Sequence, residues 1–348
     1  MTKLEIQRDV PLAPLTTLGL GGPAKHFVRV DDEATLLDAL RWAADEGLRS
    51  AILGGGSNLI VPDEGYSGLV VQMALGDLEF LAGGRVIAGA GVPWTSVVDG
   101  AISRAWAGVE CLAGIPGLAG ATPIQNVGAY GQEVAEVIAE VRVLRRDTLT
   151  FESLAPADCA FGYRTSLFKS WPERYVVSSV RFALRPGGPG AVRYAELAKN
   201  VTVGASLDEI RIAVLALRRQ KSMVLDADDP NHRSAGSFFL NPVVSASEAD
   251  RIAEQAARER LVSAPELVPR FPATDGHVKL AAGWLIENAG FQKGTRRGAV
   301  GLSTKHALAL VHHGGGTSSE LLAFADEIRA RVRERFGVDL EREPRLLA

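Results

Sequence analysis

From Leu112 to Gln132 the chain carries no charged side chain, and five glycines (114, 117, 120, 128 and 131) punctuate this window together with Pro116 and Pro123. Its centre, Ile115–Gly131, reads IPGLAGATPIQNVGAYG, with Gln125 and Asn126 among the small residues. That composition breaks a helix, and a sheet strand has no use for so many glycines. A flexible linker would be rich in Ser and charge, whereas Ile, Leu, Val and Tyr sit between these glycines. The stretch is therefore expected to be ordered coil whose backbone N–H groups approach an anion or a flat cofactor closely. Its length invites the idea of a membrane span, but the prolines, glycines, Gln and Asn argue against it.

A chain of 348 residues has room for roughly two to three domains. Lys plus Arg number 38 against 41 for Asp plus Glu, a net charge of −3, and no block of like charge stands out. Nucleic acid and membrane surfaces are thus not expected partners. The N-terminal MTKLEIQRDVPLAPL lacks the apolar core of a signal peptide, which points to a cytoplasmic protein. Two cysteines, Cys111 and Cys159, make neither a disulfide framework nor a CxxC motif. The six histidines include no HExxH or HxxxH pair, so no metal site is expected.

Along the first 70 or so residues, strand, helix and strand alternate. Strands are expected at Ala24–Val30, Ser50–Leu53, Ile60–Pro62 and Leu69–Met73. A helix capped by Asp31 or Asp32 carries Ala34, Leu36, Leu37, Leu40 and Ala44 at helical spacing and ends at Gly47. This favours an α/β unit with some parallel pairing. A strand follows at Val86, then a helix over Thr95–Ala107, and strands over Val137–Leu144, Thr148–Phe151 and Tyr175–Leu184. Pro186–Gly190 (PGGPG) reads as a domain boundary. Beyond it, helices are expected at Leu207–Lys221, Ser247–Glu259, Leu280–Asn288 and Ser319–Phe336, with strands at Thr304–His312 and Val338–Leu340.

Several short segments could carry chemistry. Gly54–Asn58 (GGGSN) follows a strand as a phosphate-binding turn should, yet position 59 is Leu59 where GxGxxG needs glycine, and no GK[ST] follows. What remains is a backbone cradle with Ser57 and Asn58, or a plain turn. In Gly162–Ser166 (GYRTS), Arg164 beside Tyr163 suits a bidentate grip on a carboxylate or enolate, though an isolated arginine is as readily a surface residue. Ser237 in SAGSFFLNP has no GxSxG elbow around it, which leaves proton donation or a capping role. Glu341 and Glu343 close the chain, and Lys293, Arg296 and Arg297 flank Gly294 and Gly298 as a diphosphate grip or a solvated turn.

Six segments in order, TTLGLGGPA (16–24), ILGGGSN (52–58), IPGLAGATPIQNVGAYGQE (115–133), FGYRTSLFK (161–169), SAGSFFLNP (234–242) and KLAAGWLIENAG (279–290), resemble the UDP-N-acetylenolpyruvoylglucosamine reductase family. The resemblance implies an α+β protein: a PCMH-type (vanillyl-alcohol-oxidase-like) FAD-binding domain of two lobes, 1–70 and 71–186, followed by a substrate-binding domain, 187–348. It implies non-covalent FAD held by Gly54, Gly55, Gly56, Ser57, Asn58, Thr122, Pro123, Gln125, Gly128 and Arg164. NADPH reduces the flavin, and the enolpyruvyl ether of UDP-N-acetylglucosamine then receives hydride at its methylene carbon. On the same resemblance Arg164 stabilises the enolate, Ser237 donates the proton and Glu343 is the tail carboxylate, with Glu341 the alternative. Tyr163, Tyr194, Lys221, Asn241, Lys293 and His306 match substrate-binding positions, and Tyr194 suggests the subtype with a tyrosine-bearing loop. The segment Lys221–Ser237 is one residue longer than the commoner family pattern.

Two other readings compete. A PCMH-type oxidase of an alcohol or sugar often tethers FAD through His or Cys, but His26, Cys111 and Cys159 lie in no such motif. A silent nucleotide-sugar binding module has no reason to keep Arg164, Ser237 and Glu343 with both glycine cradles. The expected state is a monomer.

Overall fold

The computed structural model describes residues 4–347. The chain forms two compact units: unit 1 takes Met1–Pro11, Pro23–Gly56 and Gly65–Leu225, and unit 2 takes Leu12–Gly22, Ser57–Glu64 and Asp226–Ala348. The boundary expected at residue 186 falls inside unit 1. The PGGPG segment is packed, not a hinge: a Cβ on Gly190 would sit 2.1 Å from Ile210 Cδ1, and Ala191 donates its N–H to Glu110 Oε1 at 2.8 Å.

Unit 1 carries two larger sheets. The first contains β1 (Gln7–Pro11), β2 (Pro23–Val30), β3 (Ser50–Leu53) and β4 (Tyr66–Met73), with helix α1 (Glu33–Asp45) between β2 and β3. Its order is β1-β2-β4-β3, and β4 pairs in parallel with both neighbours. The α1 start is built as its sequence asks, since Asp32 accepts the Thr35 N–H at 2.6 Å. Leu36, Ala39, Leu40 and Ala43 then face the buried side of this sheet.

The second sheet holds β5 (Leu78–Leu81), β6 (Arg85–Gly89), β7 (Ile138–Arg145), β8 (Thr150–Leu154) and β9 (Tyr175–Ala183). They run antiparallel in the order β8-β7-β9-β6-β5. Helix α2 (Trp94–Ile102) buries Trp94, Val97, Val98 and Ala101 against it. The short helices α3 (Leu167–Ser170) and α4 (Ala195–Ala198) precede α5 (Leu207–Gln220), whose Ile210, Val214 and Leu217 share the same core. That shared core is why unit 1 extends to Leu225. The helix expected over Thr95–Ala107 stops at Ile102; Ala105 turns with φ 55°, and Trp106–Ala107 pairs with Arg185–Pro186.

A charged contact ties α1, packed on the first sheet, to the second sheet of unit 1. Arg142 on β7 grips Glu33 at the head of α1 with two bonds of 2.7 and 3.0 Å, and Ser178 on β9 donates to the same carboxylate at 2.7 Å. Burial would raise the Glu33 pKa, but the Arg142 and Ser178 hydrogen bonds outweigh it and hold the carboxyl below its ordinary 4.5.

Unit 2 is built on helices α6 (Ala246–Arg258), α7 (Ala282–Asn288) and α8 (Ser318–Phe336). Two small sheets accompany them: Val243–Val244, β11 (Val278–Leu280) and β10 (Arg270–Pro272), then Arg296–Arg297, β12 (Val300–Leu302) and β13 (Leu310–His312). The N-terminal piece Ser57–Glu64 belongs here because Asp63 accepts the Ser318 and Ser319 N–H groups, at 2.6 and 2.9 Å, at the start of α8. Of the strand expected over Thr304–His312, only Leu310–His312 forms. The preceding residues turn, with Ala309 N–H on His306 O and Thr304 N–H on the Asn231 side chain. Among the described residues Val338–Leu340 pairs with no strand; the terminal pairing is instead Arg345–Leu346, parallel to Leu59–Ile60. Among the described residues no helix is long and apolar enough to cross a membrane.

Replacing Glu33 by Gln is expected to cost about 1–2 kcal/mol of stability, since Arg142 and Ser178 lose a charged partner in a half-buried setting. Because the folded carboxyl is held below 4.5, this contribution is complete above that pH and fades as pH falls through the folded value. Denaturant titrations of wild type and variant should therefore separate at pH 7 and converge in acid.

Candidate active site

The uncharged stretch is ordered by its backbone. Trp94 N–H donates to Gly117 O at 3.0 Å, Ala119 N–H to Val92 O at 2.8 Å and Gly120 N–H to Ala90 O at 3.2 Å, docking it on the segment that follows β6. A Cβ on Gly120 would meet Ala90 Cβ at 2.4 Å, so only glycine allows this approach. Thr122 closes the single turn Ala119–Ala121, its hydroxyl donating to Ala119 O at 2.8 Å. Asn126 N–H reaches Pro123 O at 3.4 Å. The second glycine segment arrives alongside: a Cβ on Gly55 would lie 3.1 Å from Gly117 Cα, and one on Gly54 3.9 Å from Leu118 Cδ1. Gly56 turns the chain at φ 64°, after which Ser57 and Asn58 enter unit 2.

Asn126 is the hub of this half. It is 1% exposed and holds a left-handed φ of 45°. Its amide donates to Glu133 Oε2 at 2.7 Å and to Gly162 O at 3.1 Å, while its Oδ1 accepts the Ala135 N–H at 3.1 Å. Arg164 completes the arrangement, with Nη1 on Asn126 O at 3.3 Å and Nη2 on Gly128 O. The reciprocal Gly162–Thr165 backbone bonds make a tight turn with Tyr163 and Arg164 at its tip, and Arg164 itself stands at φ 52°. Its guanidinium lies 5.7 Å from the Tyr163 ring. Buried Ser166 anchors the turn from below by donating to Ile124 O and capping α3. Asn126 and Glu133 were not among the candidates from sequence. The signal available was the one Asn of the window and the first charge after it.

Elsewhere in unit 1, Tyr194 precedes α4 and meets Tyr130 edge to face at 5.7 Å. Burial pushes the Tyr130 phenol up to about 12. Lys221 ends α5 and pairs with Glu196. Gln125 is half-buried within the stretch.

In unit 2 the tail lies antiparallel beside Phe238–Leu240. Glu343 N–H donates to Phe238 O at 3.0 Å, Leu240 N–H to Glu341 O at 2.9 Å, and Phe239 bridges Arg342. Glu343 thus runs alongside the residue that follows Ser237 and is half-buried, whereas Glu341 is exposed. Asn58 joins the same group, its amide donating to Glu343 O at 3.4 Å and its carbonyl accepting the Arg345 N–H at 3.1 Å. Asn241 accepts the Ala282 N–H at 2.9 Å and so steadies the start of α7. Exposed Lys293 sits 3.7 Å from Glu287, and the adjacent Gly294 donates to Ser303 O at 3.1 Å, bringing this turn to the one that carries His306. No cluster of three His, Cys, Asp or Glu that could hold a metal occurs among the described residues.

The two glycine segments of unit 1 meet where a Cβ would intrude, and such bare backbone suits a diphosphate beside a flat ring system, so these residues fit FAD. Comparison with known proteins agrees. The family model described as "FAD binding domain" matches residues 24–152, and that described as "UDP-N-acetylenolpyruvoylglucosamine reductase, C-terminal domain" matches 228–347. Fold and matches together define an FAD flavoprotein of α+β class with an FAD-binding domain in its N-terminal part.

Relatives extend over the whole chain. UDP-N-acetylenolpyruvoylglucosamine reductase of Thermobifida fusca (strain YX) is 48% identical over 97% of this chain and 96% of its own. That of Streptomyces avermitilis is 46% identical over 97% and 93%. The crystal structure of the Thermus caldophilus reductase superposes with a TM-score of 0.68 at 25% identity, covering 99% of this chain and all of that one. The chain belongs to the UDP-N-acetylenolpyruvoylglucosamine reductase family.

Asn126→Ala is expected to destabilise by about 2–4 kcal/mol, because it strands the Ala135 N–H, the Gly162 carbonyl and the Glu133 carboxylate. Asn126→Asp, which sets a carboxylate against Glu133, should lose at least as much, and retained flavin absorbance at equal protein concentration reports on the cradle in both.

Proposed function

We propose that this chain is an enzyme that reduces the enolpyruvyl ether of UDP-N-acetylglucosamine to UDP-N-acetylmuramate with NADPH, a step of peptidoglycan synthesis. The observation that carries this reading is the full-length identity of 46–48% to reductases of that name. Those relatives span both halves of the chain, which supports a reductase over an oxidase or a silent binding module. The proposal includes a cytoplasmic monomer acting on small molecules, in keeping with a net charge of −3 and no block of like charge.

Bound FAD supplies the hydride chemistry, taking two electrons from NADPH and passing them to the methylene carbon of the substrate. In the proposal Gly54–Asn58, Thr122, Pro123, Gln125 and Gly128 hold that cofactor. Arg164 stabilises negative charge that builds on the enolpyruvyl carboxylate side. Its anchoring to Asn126 O and Gly128 O supports the role, because a donor already oriented has little to reorganise. A well-placed donor of this kind is worth about 3–4 kcal/mol. Ser237 gives the proton to the carbon next to the carboxylate. Serine is a weak acid in water, and the fully buried Phe238 and Phe239 beside it provide the dry flank such a transfer needs. Glu343 serves that end of the reaction, its half-buried place alongside Phe238 favouring it over exposed Glu341. Tyr163, Tyr194, Lys221, Asn241, Lys293 and His306 bind the sugar nucleotide.

Separate half-reactions test these assignments. Ser237→Ala should leave flavin reduction by NADPH near normal and slow anaerobic reoxidation by the enolpyruvyl substrate at least about a hundredfold. Equal losses in both halves would contradict proton donation. Glu343→Gln should share that selective loss and Glu341→Gln should not; the reverse result moves the role to Glu341.

A further inference from the structure

Lys221 is one of two lysines that the proposed function assigns to the sugar nucleotide, and its ammonium group is held by a carboxylate. Its Nζ binds both carboxylate oxygens of Glu196, at 2.9 and 2.7 Å. Glu196 lies in the first turn of α4, two residues beyond Tyr194. Tyr194 in turn rests edge to face on Tyr130 and is 38% exposed. Burial and then the Glu196 charge raise the Tyr194 phenol above its ordinary value. One side chain therefore neutralises Lys221 and tethers the segment bearing Tyr194 to the end of α5.

The pair is only half-buried, with side-chain exposures of 35% for Lys221 and 38% for Glu196. At that exposure an ion pair contributes little, so it is exchangeable and not a fixed strut. A diphosphate is a stronger anion than one carboxylate and offers more acceptor oxygens to an ammonium group. An incoming diphosphate must displace Glu196 to reach Lys221, and the released carboxylate then faces it as a like charge.

We propose that Glu196 is a built-in competitor for the nucleotide diphosphate: it occupies Lys221 in the empty enzyme, lowers the affinity for uridine diphosphate compounds and speeds their departure. This rests on the proposed reading of Lys221 as a sugar-nucleotide contact and takes the diphosphate as the part of the nucleotide that its ammonium group meets. In this proposal Glu196 acts through Lys221, so it is a positioning residue.

Calorimetric titration of the FAD-loaded full chain with uridine diphosphate, and with uridine as the phosphate-free control, tests the proposal. Glu196→Gln should bind uridine diphosphate about two- to fivefold more tightly, the range expected for an exposed ion pair, with uridine unchanged. Lys221→Met should weaken uridine diphosphate binding, and in that background Glu196→Gln should have no further effect. Unchanged or weaker binding by Glu196→Gln, with Lys221→Met still weakened, overturns the competitor role and leaves the Lys221 reading intact. Wild-type affinity in Lys221→Met overturns both. Glu196→Ala, which leaves no amide to bond Lys221, should reproduce the Gln result, and divergence between the two would mean the gain comes from the new amide and not from the lost charge.

Discussion

The bonds of one buried amide govern the architecture of unit 1. The 112–132 stretch forms no long helix or strand, so its backbone pairs through short turns of its own and with Ala90, Val92 and Trp94. The Asn126 side chain then ties the stretch to Glu133, Ala135 and Gly162 at once. The turn at Gly162–Thr165 is thereby held against the stretch, and Arg164 reaches the carbonyls of Asn126 and Gly128. The left-handed conformations of Asn126 and Arg164 are affordable only because these bonds over-determine them. Asn accepts that region more readily than most residues, whereas Arg is held there by its surroundings.

The glycines have a separate task. Gly120 lets the stretch lie on Ala90, and Gly55 lets the turn after β3 lie on Gly117, so that two lengths of backbone come together without side chains between them. Each glycine contributes an absence of bulk, and the amides do the binding. In unit 2 the corresponding device is a pair of short ladders: the tail against Phe238–Leu240, and Arg345–Leu346 against Leu59–Ile60. These fix the backbone positions of Ser237, Glu343 and Asn58 without any long strand, and Phe238 and Phe239 fill the core beneath them.

Much of this was legible in local pattern. The uncharged glycine-rich stretch, an α1 cap at Asp31 or Asp32 and some parallel pairing in the first sheet follow from short-range composition and spacing, and the six ordered motifs carry the resemblance to the family. What stayed hidden depends on distant partners. Nothing near Asp63 announces Ser318 and Ser319, some 255 residues on, yet that contact helps draw Ser57–Glu64 into unit 2. The apolar face of α5 is plain, but that it packs with Val109 and Leu112, placing residue 186 within unit 1, is a tertiary fact. The helix after Trp94 ends early because Ala105 turns left-handed, a conformation that Ala seldom signals. Likewise the Lys221–Glu196 pair joins residues 25 apart that no helical periodicity relates.

The central claim is that the protein moves electrons from reduced flavin to an enolpyruvyl sugar nucleotide, not to oxygen. Holoprotein reduced stoichiometrically under anaerobic conditions and mixed with the enolpyruvyl ether of UDP-N-acetylglucosamine tests it most directly. The account predicts that the oxidised flavin spectrum returns without air and that UDP-N-acetylmuramate forms in proportion to the flavin. A flavin that stays reduced until oxygen is admitted would contradict it.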